Sequence, residues 1–197
     1  MPRQPDPDLE ERVLKAALVL WKRGGEKALT MRAVARVART NTPAVYRRFR
    51  NRQDIIRGLL KQSVSRLGEE FARGSLDQMA EAYVDHALRH PHEYELFYSY
   101  ARELAPAKVG GRPRPIRDSR ANFGLVERIL ARELGGSPED HTQLALALWA
   151  TLHGTTMLLL SKGIAGHEEA LRAACRTAVK ALLDRAAEFS AGKGGRA

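Results

Sequence analysis

Arginine stands at positions 32, 36, 39, 47, 48, 50 and 52, and the stretch from Thr30 to Arg52 contains no aspartate or glutamate. Guanidinium groups without a carboxylate among them are suited above all to gripping phosphate oxygens through forked hydrogen bonds. A second cluster, Lys108 to Arg120 (KVGGRPRPIRDSR), sets five basic residues against Asp118. The 197-residue chain carries a net charge of +10, of which the two clusters supply +7 and +4, so the remainder is close to neutral. Positive charge concentrated on a balanced body points to a polyanion, either nucleic acid or an anionic membrane surface. An arginine-rich surface with no partner is the plain alternative.

Other chemistry is sparse. The sequence has no nucleophile elbow, no HExxH, no phosphate-binding glycine loop and no carboxylate pair singled out by context, so an enzyme is not expected, nor a cofactor. His86 and His90 stand four apart with His92 and Glu93 just beyond, a spacing that suits a metal, but no cysteine cluster supports one and none is assigned. The single Cys175 excludes an internal disulfide framework, and the N-terminus MPRQPDPDLEER lacks a secretory apolar core, so a cytoplasmic location is expected. The most apolar run, Leu144 to Leu160, is interrupted by His153, Gly154, Thr155 and Thr156; it reads as a buried helix, with no membrane partner.

The elements that must position the arginines are helices throughout, with no strand-like alternation, so the fold class is all-α. The first opens at Asp8, with Glu11 as the return arm of a capping box and a stripe of Leu9, Val13, Ala17, Leu20 and Trp21, and stops at Gly24-Gly25. Thr30 caps a short helix burying Val34, Val37 and Ala38; Asn41 caps another that begins TPAVYRRF, with Pro43 tolerated in its first turn. Longer helices follow at 53–72, 76–90, 92–104, 116–134, 138–162 and 167–190. The segment 105–115 reads as a mobile loop and the tail AGKGGRA as disordered.

Ala35 on the first short helix, the turn at Arg39-Thr40 and Val45 on the second meet the packing demands of a helix-turn-helix: a small residue, a tight turn and a branched apolar residue. Thr42 and Ala44 would then approach base edges while Tyr46, Arg47 and Arg48 lie near phosphates. Two short arginine-bearing helices forming a solvated corner would give the same pattern.

The quoted segments also carry a resemblance. RVLKAALVLWKRGG, ALTMRAVARVA and TPAVYRRFRNRQDIIRGLL resemble the first helix, the second helix and the recognition helix of the TetR family of transcriptional regulators. The resemblance implies phosphate contacts for Thr30, Tyr46 and Arg52 and base contacts for positions 42 and 44; Arg32, Arg39, Asn41, Pro43, Arg47 and Arg48 complete the expected DNA-binding set. Two residues depart from the family pattern. Arg39 stands where a glycine is usual, so it either strains the turn or relaxes it, and Pro43-Ala44 replace a glycine and a hydroxyl-bearing residue. In LWATLHGTTMLLLSKG, Trp149, His153 and Gly154 resemble the family branch named for a Trp, His and Gly motif, and HPHEYELFYSYA resembles an earlier helix of that branch.

The expected organisation is a DNA-binding domain over 8–50 and a helical ligand-binding and dimerisation domain over 51–190. Tyr94, Phe97, Trp149, His153 and Met157 are candidates for lining an effector pocket, with Tyr83 and Tyr98 as further aromatics; all are equally suited to core packing. Leu171, Cys175, Ala178, Leu182 and Phe189 form a stripe expected to make a homodimer interface. The helix over 53–72 is expected to be the one lever joining the DNA-reading helices to the C-terminal bundle. The implied function is a repressor released from a palindromic double-stranded DNA operator by a small hydrophobic effector. A nonspecific DNA-organising protein and a ligand-binding helical protein on anionic membrane are the competing readings.

Overall fold

The computed structural model describes residues 8–104, 108–109, 112–161 and 163–186. Ten α-helices are formed among the described residues: α1 Leu9–Ala28, α2 Met31–Val37, α3 Thr42–Arg48, α4 Arg52–Arg73, α5 Leu76–Arg89, α6 Pro91–Leu104, α7 Ile116–Ser119, α8 Ala121–Leu134, α9 Thr142–Leu160 and α10 Glu168–Asp184. A 3-10 turn, Pro138–His141, leads into α9. One antiparallel pair, Lys108–Val109 with Arg112–Pro113, lies between α6 and α7. The expected helix over 116–134 divides at Arg120, whose φ of −137° and ψ of 88° leave the helical region. The readings of the tail and of residues 105–107, 110 and 111 fall outside the described residues.

Packing divides the chain into two compact units. The first contains residues up to Ser63 together with His92–Leu104, and the second contains Val64–Pro91 and everything after Leu104. The division falls within α4. It also assigns α6, apart from Pro91, to the first unit.

In the first unit, Val13, Ala17, Leu20 and Trp21 of α1 are buried with Val34, Ala35 and Val45 of the short helices, Ile55, Ile56, Leu59 and Leu60 of α4, and Leu96 and Tyr100 of α6. The Trp21 and Tyr100 rings meet edge to face at 5.7 Å, a favoured aromatic geometry. Gly24 and Gly25 break α1 as their sequence suggests, Gly25 at φ 57°, a conformation cheap only for glycine. The capping box at its start is not formed. The Asp8 side chain makes no cap hydrogen bond, and Glu11 pairs instead with Lys15 one turn on, at 2.5 Å.

In the second unit, α9 packs against α5, α8 and α10. It buries Leu144, Ala145, Leu148, Leu152 and Thr156 on one side. The reading of a buried helix holds for that side. Gln143, Ala150, Gly154, Met157 and Leu158 are exposed on the other. Arg117 of the second basic cluster serves this unit's interior: it pairs with the fully buried Glu127 and with Glu139. That arginine is therefore committed within the fold and is not free for a polyanion.

Candidate nucleic-acid interface

The reading corner is built by three local devices. Thr30 Oγ1 accepts a hydrogen bond from the Ala33 amide at 3.1 Å, capping α2, and Asn41 Oδ1 accepts from the Ala44 amide at 2.8 Å, capping α3. Such caps satisfy amides that the helix leaves unpaired. Between them α2 ends in a Schellman turn: the Thr40 amide donates to Ala35 O at 2.9 Å and the Arg39 amide to Arg36 O at 3.2 Å. Arg12 Nε of α1 reaches the Ala38 carbonyl at 3.5 Å, tying the turn to the scaffold.

The turn places Arg39 at φ 53°, the one non-glycine positive φ among the described residues. The alternative of a relaxed turn is thus excluded, because the Schellman hydrogen bonds need the left-handed residue. Arg39→Gly should raise the unfolding free energy by up to about 1 kcal/mol, since a side chain in that region is strained while glycine gives some of the gain back as unfolded-state entropy. Thermal unfolding and DNA titration of the same variant check the exchange: a higher midpoint with weaker DNA binding is expected.

Thr30, Arg32, Arg39, Asn41, Pro43, Tyr46, Arg47 and Arg48 are exposed together on this corner, and Thr42 and Arg52 are half-exposed. Tyr46 is 52% exposed, unusual for an aromatic side chain in the middle of a folded helix, and its phenol is open to a phosphate. Ala44 is a correction. It is only 5% exposed, because its position on the short helix turns its methyl toward the protein, so it offers almost no surface to a base edge. Thr42, Pro43 and the outward arginines keep the exposure that Ala44 lacks.

The arginine run also has counter-charges that its own stretch does not reveal. Arg48 Nε donates to Glu10 Oε2 at 2.6 Å and Arg52 Nη2 to Glu26 Oε1 at 2.5 Å, both acids lying on α1. All four side chains are between 40% and 58% exposed. Pairs so exposed are worth about 0–1 kcal/mol and open readily. Phosphate must compete with them. Glu10→Gln and Glu26→Gln should each strengthen DNA binding about 2- to 5-fold near 0.1 M salt, by freeing an arginine and removing a charge that repels phosphate. Fluorescence anisotropy with a fixed duplex measures this; weaker binding would mean that the acids orient the arginines instead.

The proposed ligand-facing residues fall in two places. Tyr94 and Phe97 belong to the first unit, where Phe97 packs on the core and the Tyr94 and Tyr98 rings lie 4.7 Å apart. Tyr83 belongs to the second, stacked on Phe71 at 6.4 Å. Trp149 meets Phe123 edge to face at 6.1 Å, and His153 is half-buried, its pKa pushed below the ordinary 6.5 by burial. Met157 is 48% exposed on the open side of α9. The histidine pair reads as structural: His86 Nδ1 lies 3.2 Å from Glu70 Oε1, and the His86 and His90 rings are 4.9 Å apart.

The residues of the expected dimer stripe are partly covered within the single chain. Cys175 is 8% exposed and packs inward, while Leu171, Ala178 and Leu182 are half-buried, because this side of α10 faces α9 and α5 of the same chain. Phe189 lies outside the described residues. The exposed side of α10 carries Ala170, Ala174, Thr177 and Ala181.

Comparison with known proteins assigns this architecture. Residues 13–59 match "Bacterial regulatory proteins, tetR family", and residues 76–182 match "Tetracyclin repressor-like, C-terminal domain". The chain belongs to the TetR family. It is a transcriptional regulator with an N-terminal DNA-binding helix-turn-helix and a C-terminal ligand-binding domain. Similar solved structures include a protein of unknown function from Rhodococcus sp. RHA1, at 24% identity and TM-score 0.70, covering 93% of this chain and 100% of that one. The multidrug binding protein EbrR complexed with imidazole aligns at 22% identity and TM-score 0.62, over 92% of this chain and 93% of that one. A single-substitution variant of TetR from Acinetobacter baumannii AYE, in complex with minocycline, aligns at 17% identity and TM-score 0.60, over 91% and 97% of the two chains. No curated protein sequence matches the chain. In this TetR-family chain, the helix-turn-helix match spans the capped corner and its arginines.

Proposed function

We propose that the chain is a cytoplasmic, homodimeric repressor that holds a palindromic operator and releases it when a small, largely apolar molecule binds the C-terminal domain. The observation that carries the DNA half is the capped corner itself, with Tyr46, Arg47 and Arg48 exposed on α3 beside the strained Arg39. The effector half is supported by the C-terminal domain match and by neighbours solved with imidazole and minocycline. Within this reading Trp149 and His153 face the effector, His153 offering a hydrogen bond, and Trp149, His153 and Gly154 support assignment to the Trp-His-Gly branch. Because the division between units falls within α4, a shift of its later residues is passed along a continuous helix to those that pack on α1 and α3. Half-sites face one groove side only at whole-turn separations of about 34 to 36 Å or multiples, so a small change in spacing suffices to release DNA.

Selection of bound fragments from genomic DNA, followed by titration against salt, tests the reading. A dimer neutralising about 8 to 12 phosphates gives a slope of log K against log salt of roughly −7 to −11, with preference for one palindrome over bulk DNA by about a thousandfold or more. Binding without sequence preference would instead establish a DNA-organising protein, and binding to anionic vesicles without an operator the membrane reading. Thr42→Ala should alter base preference, whereas Tyr46→Phe and Arg52→Ala should weaken all duplexes alike.

A further inference from the structure

The second unit contains a groove of about 270 Å³ between α5, α9 and α10, on a different face of α9 from Trp149 and His153. Its apolar walls are Ala80, Val84 and Val179. Thr155 and Cys175 also line it, and both are more than nine-tenths buried. Thr155 differs from its helical neighbours. Thr151 donates its hydroxyl to Ala147 O at 2.9 Å and Thr156 to Leu152 O at 2.8 Å, the usual resting place for a helical threonine. Thr155 makes no such bond among the described residues, and its hydroxyl is left for the groove.

The remaining polar lining is Arg172, Arg176, Lys180 and Glu81. Every one of these groups except Glu81 is a hydrogen-bond donor. Glu81 is shared between Arg172 Nη1 and Arg176 Nη1 at 3.3 Å each, long contacts on a carboxylate that is 40% exposed. Asp85, Glu169 and Asp184 pair with the same cations without lining the groove. An incoming acceptor therefore meets a hydroxyl, a thiol and three cations that are already ion-paired, and among the lining groups it competes with Glu81 for Arg172 and Arg176. A space of this volume is about 8 Å across if compact, so one small molecule reaches all of these groups.

We propose that this groove binds a small amphipathic carboxylate, its acid group taken by Thr155 and the Arg172–Arg176 pair and its hydrocarbon part resting on Val84 and Val179. The site is additional to the effector reading and does not depend on it. It also remains open in a dimer built on the exposed sides of α9 and α10. Positions 172, 176 and 179 lie on one side of α10, and 170, 174, 177 and 181 lie on the other.

The test uses the full chain without DNA, so its failure leaves operator binding untouched. Hexanoate, hexanol, hexylamine and inorganic phosphate are titrated calorimetrically, with thermal shift as a second readout. The expected result is saturable hexanoate binding, at least about 10-fold tighter than hexanol and with no saturation by hexylamine or phosphate. Thr155→Val preserves shape and removes the donor, and Arg176→Gln alters a half-exposed side chain; each should weaken hexanoate at least about 5-fold. Unsaturable hexanoate, equal binding of hexylamine, or hexanoate affinity unchanged in both variants would overturn the proposal. Phosphate binding as well as hexanoate does would overturn the amphipathic part, reducing the groove to an anion site.

Discussion

Replacing Met157 and Leu158 with glutamate should leave the chain monomeric at micromolar concentration and abolish tight operator binding, if the proposed dimer forms on the open side of α9. Both side chains are close to half exposed on the open side of α9, at 48% and 47%. Gly154 lies on the same side, and a Cβ built there would meet nothing within 4 Å. A glycine in the interior of a helix costs about 1 kcal/mol relative to alanine, and open space in the single chain gives no internal reason for it. A second helix approaching closely does. Ala150 on α9 and Ala170, Ala174 and Ala181 on α10 extend this surface of small side chains, which permits short interaxial distances.

Covering the remaining half of a methionine or leucine contributes about 1 kcal/mol, and a two-fold dimer covers four such side chains, roughly 4 kcal/mol in all. Their loss, before the added cost of buried charge, raises the dissociation constant about a thousandfold. Sedimentation velocity reads the mass and anisotropy the operator affinity. Gly154→Leu is the second variant: it adds no charge and has room in the single chain, so it should fold normally and still break the dimer. Two variants that remain dimeric would place the interface elsewhere, and the half-buried stripe of Leu171, Ala178 and Leu182 would then be the next face to test.

The reasons those two stripes differ lie in what a helical period can reveal. Positions three and four apart share a face, so the sequence identifies Leu171, Cys175, Ala178 and Leu182 as neighbours, but it does not say whether that face meets the same chain or another. The same ambiguity makes Met157 read as a pocket residue. Local grammar is far more legible. Thr30 and Asn41 cap as their types suggest, Gly24-Gly25 breaks α1, and the left-handed Arg39 lies where the family pattern has glycine. Long-range electrostatics are not legible. The acids that pair with Arg48 and Arg52 lie 38 and 26 positions away in the sequence, so the run reads as uncompensated until the fold brings α1 beside it. Arg117 is the clearest case. In sequence it is one of five cations in a basic loop, yet in the fold its guanidinium enters the second unit's core.

That burial sets up the other large effect: Arg117→Met should lower stability by about 3 to 5 kcal/mol, because it strands a carboxylate in the interior. Glu127 is fully buried. Arg117 Nη2 donates to its Oε1 at 3.1 Å, and Nε lies 3.0 Å from Oε2 as an ion pair without hydrogen-bond alignment. The Thr142 hydroxyl adds a bond to Oε1 at 2.7 Å and accepts one from Arg117 at 3.1 Å, so α7, α8 and the start of α9 are joined through one carboxylate. With methionine at 117 only Thr142 remains, and one neutral donor does not offset the desolvation of a charge. For a chain of this length each kcal/mol shifts the midpoint by about 2 to 4 °C, giving an expected fall of roughly 6 to 20 °C. Burial of the pair does not mean that it stabilises more than apolar packing would. The double variant Arg117→Met, Glu127→Leu should therefore recover most of the loss. A thermal or urea double-mutant cycle measures this directly, and a double variant as unstable as Arg117→Met alone would show that the arginine acts through its packing or Glu139 rather than through the buried charge.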